Sequence, residues 1–178
     1  MGYTFILGGA RSGKSRYGEE QALAMAKATS WPVTYLATGV VTDEEMQERI
    51  ALHRQSRPSE WRTVEEPLRV ARWLNEQSAP RVVLLDCLTL LLSNWFFDNA
   101  DDAEISQRGD EFCQALSDFK YGLFVVSNEV GQGIVPNNGL ARRYRDAMGR
   151  LNQQVARGAE KVIWMVAGLP VDVRKLAP

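Results

Sequence analysis

The residues Gly8-Gly9-Ala10-Arg11-Ser12-Gly13-Lys14-Ser15 carry the spacing G-x-x-x-x-G-K-S, and each residue type in it has a use against a chain of phosphates. Glycines let the backbone curl until successive N–H groups point inward at an anion. A helix starting near Lys14 adds the positive end of its dipole. The lysine brings a mobile charge to the β- and γ-phosphates, and Ser15 brings a hydroxyl for Mg²⁺. The same letters could spell a glycine-rich turn that caps a helix. The apolar run Tyr3–Leu7 before them and the helical pattern after them supply the strand–loop–helix frame that phosphate binding needs. The chain is expected to bind a nucleoside triphosphate.

A second group of chemistry-bearing residues sits where apolar runs end, and in open parallel sheets ligands bind beyond the carboxyl ends of the strands. One run ends in Ala37-Thr38-Gly39, another in Asp86-Cys87, a third in Ser127-Asn128-Glu129. Asp86 follows Val82-Val83-Leu84-Leu85 and suits the carboxylate that holds Mg²⁺ in phosphate-loop enzymes. The other reading is an N-cap for the helix that follows. Ser127 to Gly131 reads as either a ligand-facing tip or a plain polar turn.

The third group is the segment Thr42 to Pro58. Thr42 and Glu45 have capping-box spacing, so a helix is expected over Asp43–Gln55. Met46 and Ile50 form its buried stripe, while Glu45, Arg49 and His53 lie four apart on another face. His53 is the one histidine of the chain. Two readings stay open from spacing: a histidine stabilising the C-terminal end of a helix dipole, or a neutral imidazole attacking phosphorus beside the phosphate-holding arginines Arg54 and Arg57.

The elements that must position these groups alternate. Strands are expected at Tyr3–Leu7, Val33–Ala37, Arg81–Asp86, Leu123–Ser127 and Val162–Ala167, with a shorter extended piece at Arg62–Val64. Most are rich in Val, Leu or Ile without polar alternation, as parallel strands covered on both faces are. Besides Asp43–Gln55, helices are expected at Lys14–Ala28, Leu68–Gln77, Leu88–Trp95, Glu104–Lys120 and Leu140–Gly158. Asp98–Glu104 reads as a solvated loop, and Trp95, Phe96 and Phe97 as an apolar surface that suits an interface or else core. Strand–helix alternation without repeats or linkers implies an α/β fold with a mostly parallel sheet, in one nucleotide-binding domain over 1–178.

With 178 residues and a net charge of −1, the chain can bury a full core. The balanced charge argues against broad nucleic-acid binding. Cys87 and Cys113 lack metal-ligand spacing and read as free thiols in a reducing compartment. The N-terminus has no basic region, and the longest apolar run, Val82 to Leu92, is broken by Asp86 and too short for a bilayer. A cytoplasmic protein with no membrane insertion is expected.

Taken together, the motifs resemble a known family, the bifunctional adenosylcobinamide kinase / adenosylcobinamide-phosphate guanylyltransferases of cobalamin biosynthesis. The resemblance covers nearly the whole chain. It rests on the phosphate loop, Tyr35-Leu36-Ala37-Thr38, Glu45-Met46, Arg49-Ile50, His53-Arg54, Arg57-Pro58 and Trp61-Arg62-Thr63-Val64-Glu65. Asp86-Cys87, Ser127 to Gly131 with Gly133-Ile134-Val135-Pro136, and the Leu140 to Gln153 helix complete it. It implies a RecA-like P-loop fold, a homotrimer, Mg²⁺, and ATP and GTP as substrates. It further implies phosphorylation of adenosylcobinamide, then GMP transfer from GTP through a covalent guanylyl-histidine. That histidine falls on His53; Lys14 serves the kinase step. Nucleotide contacts fall on Gly8, Gly9, Ala10, Arg11, Ser12, Gly13, Lys14 and Ser15. They continue on Thr38, Gly39, Val40, Arg54, Gln55, Ser56, Arg57, Glu65 and Asp86. Ser15 and Asp86 take the metal. Where some members carry two adjacent histidines, this chain has Leu52-His53. The competing readings are a plain small-molecule kinase, which needs no His53, and a nucleotide-dependent switch. The Ser127-Asn128-Glu129-Val130 tip lacks the Asn-Lys-x-Asp pattern of guanine-reading switches.

Overall fold

A computed structural model of the chain describes residues 2–40 and 58–176. Its seven strands form one sheet: β1 (Thr4–Gly8), β2 (Val33–Ala37), β3 (Arg62–Glu65), β4 (Val82–Asp86), β5 (Gly122–Asn128), β6 (Lys161–Val166) and β7 (Leu169–Asp172), in the order β3-β2-β4-β5-β1-β6-β7. All neighbours run parallel except β6 and β7. The helices are α1 (Lys14–Thr29), α2 (Val70–Asn75), α3 (Leu88–Phe97), α4 (Asp102–Asp118) and α5 (Gly139–Gly158).

The apolar runs become strands because each buries side chains on both faces. In β4, Val83 and Leu85 enter the larger core, which is shared with α3, α4 and α5. Leu84 between them points into the second core beneath α1, with Ile6, Tyr35 and Val126. This is the two-residue period of a strand covered on both sides. Each such fully buried side chain contributes about 1.5–3 kcal/mol of apolar burial. The arrangement confirms the α/β expectation and aligns the carboxyl ends of β1, β2, β4 and β5 along one edge.

Four expectations change. The stretch Asp98–Glu104 is not all loop: α4 already begins at Asp102, because Asp101 caps it by accepting from the Glu104 N–H at 2.8 Å. The helix expected over Leu68–Gln77 is α2 alone, since the Glu66 carboxylate binds the Leu68 and Arg69 N–H groups ahead of it. Trp95 lies in the core at 3% exposure, while Phe97 is 75% exposed, so the three aromatics do not form one surface. The final strand ends at Val166. Ala167 and Gly168 then turn with positive φ into β7, an unforeseen edge strand that tolerates Pro170.

Candidate active site

The phosphate loop leaves β1 at Gly8 and enters α1 at Lys14. A Cβ on Gly8 would lie 2.7 Å from both Met165 O and Ser12 Oγ, so only glycine lets the loop turn this tightly against β6. Gly13 has φ +90°, which presents the first turn of α1 to the loop's concavity. A second element braces the loop from outside: the Gly168 N–H, in the β6–β7 turn, donates to Ser12 O at 3.2 Å.

Lys14 is 7% exposed, and its Nζ donates to Gly9 O at 2.5 Å, with Ser12 Oγ at 3.4 Å. The ammonium is thus centred on the loop. Burial lowers its pKa, and Asp86 is the chief influence raising it again. The carboxylate at the tip of β4 therefore acts on the same cleft as Lys14. β4 is two strand spacings from β1, about 10 Å, with β5 between.

Asp86 is not a helix cap. The residue before α3 is Cys87, which makes no side-chain cap bond. Instead Asp86 Oδ2 accepts from the Tyr35 hydroxyl at 2.9 Å. Burial, with Asp86 alongside, pushes the Cys87 thiol up to about 11, so it stays protonated and unreactive near neutrality. Both cysteines are free thiols, as expected.

Thr38 is fully buried. Its hydroxyl donates to Cys87 O at 2.7 Å and accepts from Cys87 N–H at 3.0 Å. It locks the tips of β2 and β4 together, and its side chain is committed to backbone. Gly39 and exposed Val40 continue from it, and Glu65 ends β3, paired in register with Ala37. At the tip of β5, Ser127 Oγ donates to Asn152 Oδ1 on α5 at 2.7 Å. Asn128 donates to Thr89 Oγ1 at 2.9 Å, and the Glu129 N–H donates to Gly8 O at 3.0 Å. This tip supports the phosphate loop through its backbone.

The structure thus brings the phosphate loop, Thr38 to Val40, Glu65 and Asp86 to one edge. His53, Arg54, Gln55, Ser56 and Arg57, with the helix expected over Asp43–Gln55, lie outside the described residues. Two residues given no role from sequence join the site: Tyr35, which holds Asp86, and Asn94, which donates to Thr38 O and Pro67 O. Asn94 had a legible mark, being an amide inside the otherwise apolar run Leu90-Leu91-Leu92-Ser93-Asn94-Trp95-Phe96-Phe97.

Among the described residues no cluster of three or more His, Cys, Asp or Glu side chains is arranged for a metal. Among the described residues, the Ser15 hydroxyl at the start of α1 and the Asp86 carboxylate at the tip of β4 are the oxygens that sequence reading assigns to a metal. That donor set fits Mg²⁺, which binds through one or two protein oxygens and completes its shell with water and phosphate. Among the described residues no helix is long and apolar enough to cross a membrane.

The fold is shared with solved P-loop ATPases of RecA-like architecture. One solved ATPase domain superposes with a TM-score of 0.52 at 12% identity, covering 92% of this chain and 68% of that one. The flagellar accessory protein FlaH from Methanocaldococcus jannaschii superposes at 0.50 with 14% identity, covering 95% and 74%. Sequence relatives are nearer. The bifunctional adenosylcobalamin biosynthesis protein CobP of Pseudomonas aeruginosa is 43% identical over 170 residues, 95% of each chain. The protein CobU of Escherichia coli K12, described in the same words, is 38% identical over 182 residues, covering 95% of this chain and 98% of that one. The family described as cobinamide kinase / cobinamide phosphate guanyltransferase matches residues 4–173. A match of that extent, on a sheet whose strand tips bring the phosphate loop and Asp86 to one cleft, means that the chain belongs to this family of bifunctional kinases and guanylyltransferases.

Proposed function

We propose that the chain phosphorylates adenosylcobinamide with a nucleoside triphosphate. It then transfers GMP from GTP to adenosylcobinamide phosphate through a guanylyl group on His53, giving adenosylcobinamide-GDP. The observation that carries the reading is the buried Lys14 ammonium held by Gly9 O at the centre of the phosphate loop, on the same sheet edge as the Asp86 carboxylate. Family membership supplies the substrates.

In the first half-reaction the substrate hydroxyl attacks the γ-phosphorus, the bond to the β-phosphate oxygen breaks, and the nucleoside diphosphate leaves. The protein's part is to position and to neutralise charge. The loop amides and Lys14 do this, with Ser15 and Asp86 holding Mg²⁺. When bound, the metal offsets developing negative charge on the phosphates.

In the second half-reaction an imidazole nitrogen of His53 attacks the α-phosphorus of GTP and pyrophosphate leaves. A phosphate oxygen of adenosylcobinamide phosphate then attacks the same phosphorus and the imidazole leaves. An imidazole is largely neutral at pH 7 and needs no strong base to act. Arg54 and Arg57 hold the phosphate chain, and Gly39, Val40, Gln55, Ser56 and Glu65 contact the nucleotide, with buried Thr38 behind them tying the β2 tip to Cys87.

The chain works as one domain, in the cytoplasm, as a homotrimer. The apolar side chains Trp164, Val166 and Leu169 exposed on β6 and β7 are compatible with a subunit contact. Light scattering is expected to give three times the chain mass, and a monomer across micromolar concentrations contradicts it.

His53→Ala tests the function. Conversion of adenosylcobinamide phosphate to adenosylcobinamide-GDP is expected to vanish, while phosphorylation of adenosylcobinamide largely persists. Intact GMP transfer in that variant overturns the covalent route.

A further inference from the structure

The strand between the phosphate loop and Asp86 ends in two polar side chains that face opposite ways. β5 runs between β4, which ends in Asp86, and β1, which opens the phosphate loop, about 4.8 Å from each. Leu123 and Val125 pack into the larger core, while Phe124 and Val126 pack into the core beneath α1. The alternation carries Ser127 to the first face, where it is fully buried and donates to Asn152 Oδ1. It carries Asn128 to the face of α1. On the neighbouring strands Leu84 and Ile6 belong to that face, and two residues on from them come Asp86 and Gly8. Asp86 accordingly takes its hydrogen bond from Tyr35, a residue of the core beneath α1. Asn128 is level with Gly8 in the sheet and two residues beyond Val126, the partner of Asp86. Its side chain therefore stands between the loop and the carboxylate, on the side where Lys14 begins α1.

Asn128 is fixed in that place. Its C=O accepts from Asn152 Nδ2 at 3.1 Å, and the N–H of the next residue, Glu129, donates to Gly8 O at 3.0 Å. Its own Nδ2 donates to Thr89 Oγ1 at 2.9 Å, at the start of α3. An amide nitrogen carries two N–H groups. Among the described residues the second N–H and Oδ1 have no hydrogen-bond partner, and the residue is half-buried rather than closed off. An uncharged donor held in advance beside an ammonium suits negative charge that develops on phosphate oxygens.

We propose that Asn128 is a further catalytic residue of the kinase half-reaction, its second amide N–H donating to a γ-phosphoryl oxygen during transfer. The proposal rests on the reading that the loop holds the triphosphate for phosphorylation of adenosylcobinamide. In that step the substrate hydroxyl oxygen forms a bond to the γ-phosphorus, and the bond from that phosphorus to the bridging oxygen breaks. The nucleoside diphosphate leaves with the electron pair, and the hydroxyl proton passes to solvent. Asn128 forms no covalent bond; with Lys14 it offsets the charge spread over the transferring oxygens.

The test compares Asn128→Ala and Asn128→Asp in the full chain, with phosphorylation of adenosylcobinamide followed from labelled ATP over a range of ATP concentrations. In Asn128→Ala, kcat is expected to fall by roughly 10²-fold, as on loss of one donor to a developing anion, with KM for ATP little changed. Asn128→Asp has the same shape. Its carboxylate can accept from the Thr89 hydroxyl, so the tie to α3 survives while both N–H groups are lost. A purely structural role predicts the wild-type kcat in this variant. The proposal predicts a loss at least as large as in Asn128→Ala, because a negative charge then faces the phosphates. If Asn128→Ala does not fold, Asn128→Asp carries the test. A wild-type kcat in either folded variant overturns the proposal. A wild-type chain that binds ATP and forms no adenosylcobinamide phosphate overturns the reading beneath it, and the proposal with it.

Discussion

The phosphate cradle and the paired tips of β2 and β3 lie on one edge of the sheet but are held by different physics. The cradle takes most of its shape from neighbours in sequence, with β6 and the β6–β7 turn packed behind it. Gly8 makes room against Met165 and Ser12, Gly13 adopts a positive φ, and Lys14 reaches back five residues to Gly9. The β2 and β3 tips depend on partners far along the chain: Thr38 on Cys87, 49 residues away, and on Asn94, 56 residues away. A local cradle can be carried intact on many sheets. Strand tips tied across such distances are particular to one arrangement of the sheet.

Breaking the cradle gives the largest effect. Lys14→Ala removes the charge centred on the loop, and electrostatic contributions of this kind are worth about 3–4 kcal/mol. Phosphorylation of adenosylcobinamide is expected to fall by roughly 10²–10³-fold, measured as product formed from labelled ATP. Wild-type turnover in a folded Lys14→Ala protein would mean that the loop does not do the chemistry.

The tips come next. Thr38→Val keeps the shape but strands the Cys87 N–H, which costs about 1–3 kcal/mol when left unpaired in the interior, and takes one donor from Cys87 O, which keeps the Leu91 N–H at 3.2 Å. Urea unfolding is expected to show a loss in that range, with both half-reactions weakened, because Thr38 joins the β2 tip to the Asp86 tip. An unchanged unfolding midpoint would show that the tips are held by something else.

The smallest effect is at the junction of the two regions. Tyr35→Phe removes one hydrogen bond to the Asp86 carboxylate, worth about 1.5–3 kcal/mol for a charged acceptor before water replaces it. The half-saturating Mg²⁺ concentration for nucleotide binding, read by calorimetry, is expected to rise by up to about tenfold. No change would place the metal away from Asp86.

The same contrast decides what the sequence alone made legible. The cradle was legible because glycine, lysine and serine at fixed spacing report backbone geometry directly, and the flanking apolar run supplied β1. The central strands were legible because continuous Val, Leu and Ile leave few other structures. Asp86 was legible as a strand-tip carboxylate, but its tie to Tyr35 was not, since neither residue's neighbours announce the other. Asn94 was missed for the same reason, although an amide in an apolar helix invited a question about its partners. The strand β7 was hidden by Pro170 and by exposed side chains that follow no alternation. The start of α4 was hidden because its first turn is as acidic as the loop before it, and only the Asp101 cap marks the change.

The covalent step is tested most directly by mass spectrometry of the protein after incubation with GTP and Mg²⁺, with peptide fragmentation to locate the added mass. The expected result is one GMP on the peptide containing His53, released by mild acid and stable in base, as a phosphoramidate is, and absent from His53→Ala. A GMP on any other residue, or an adduct that persists in His53→Ala, would contradict the account.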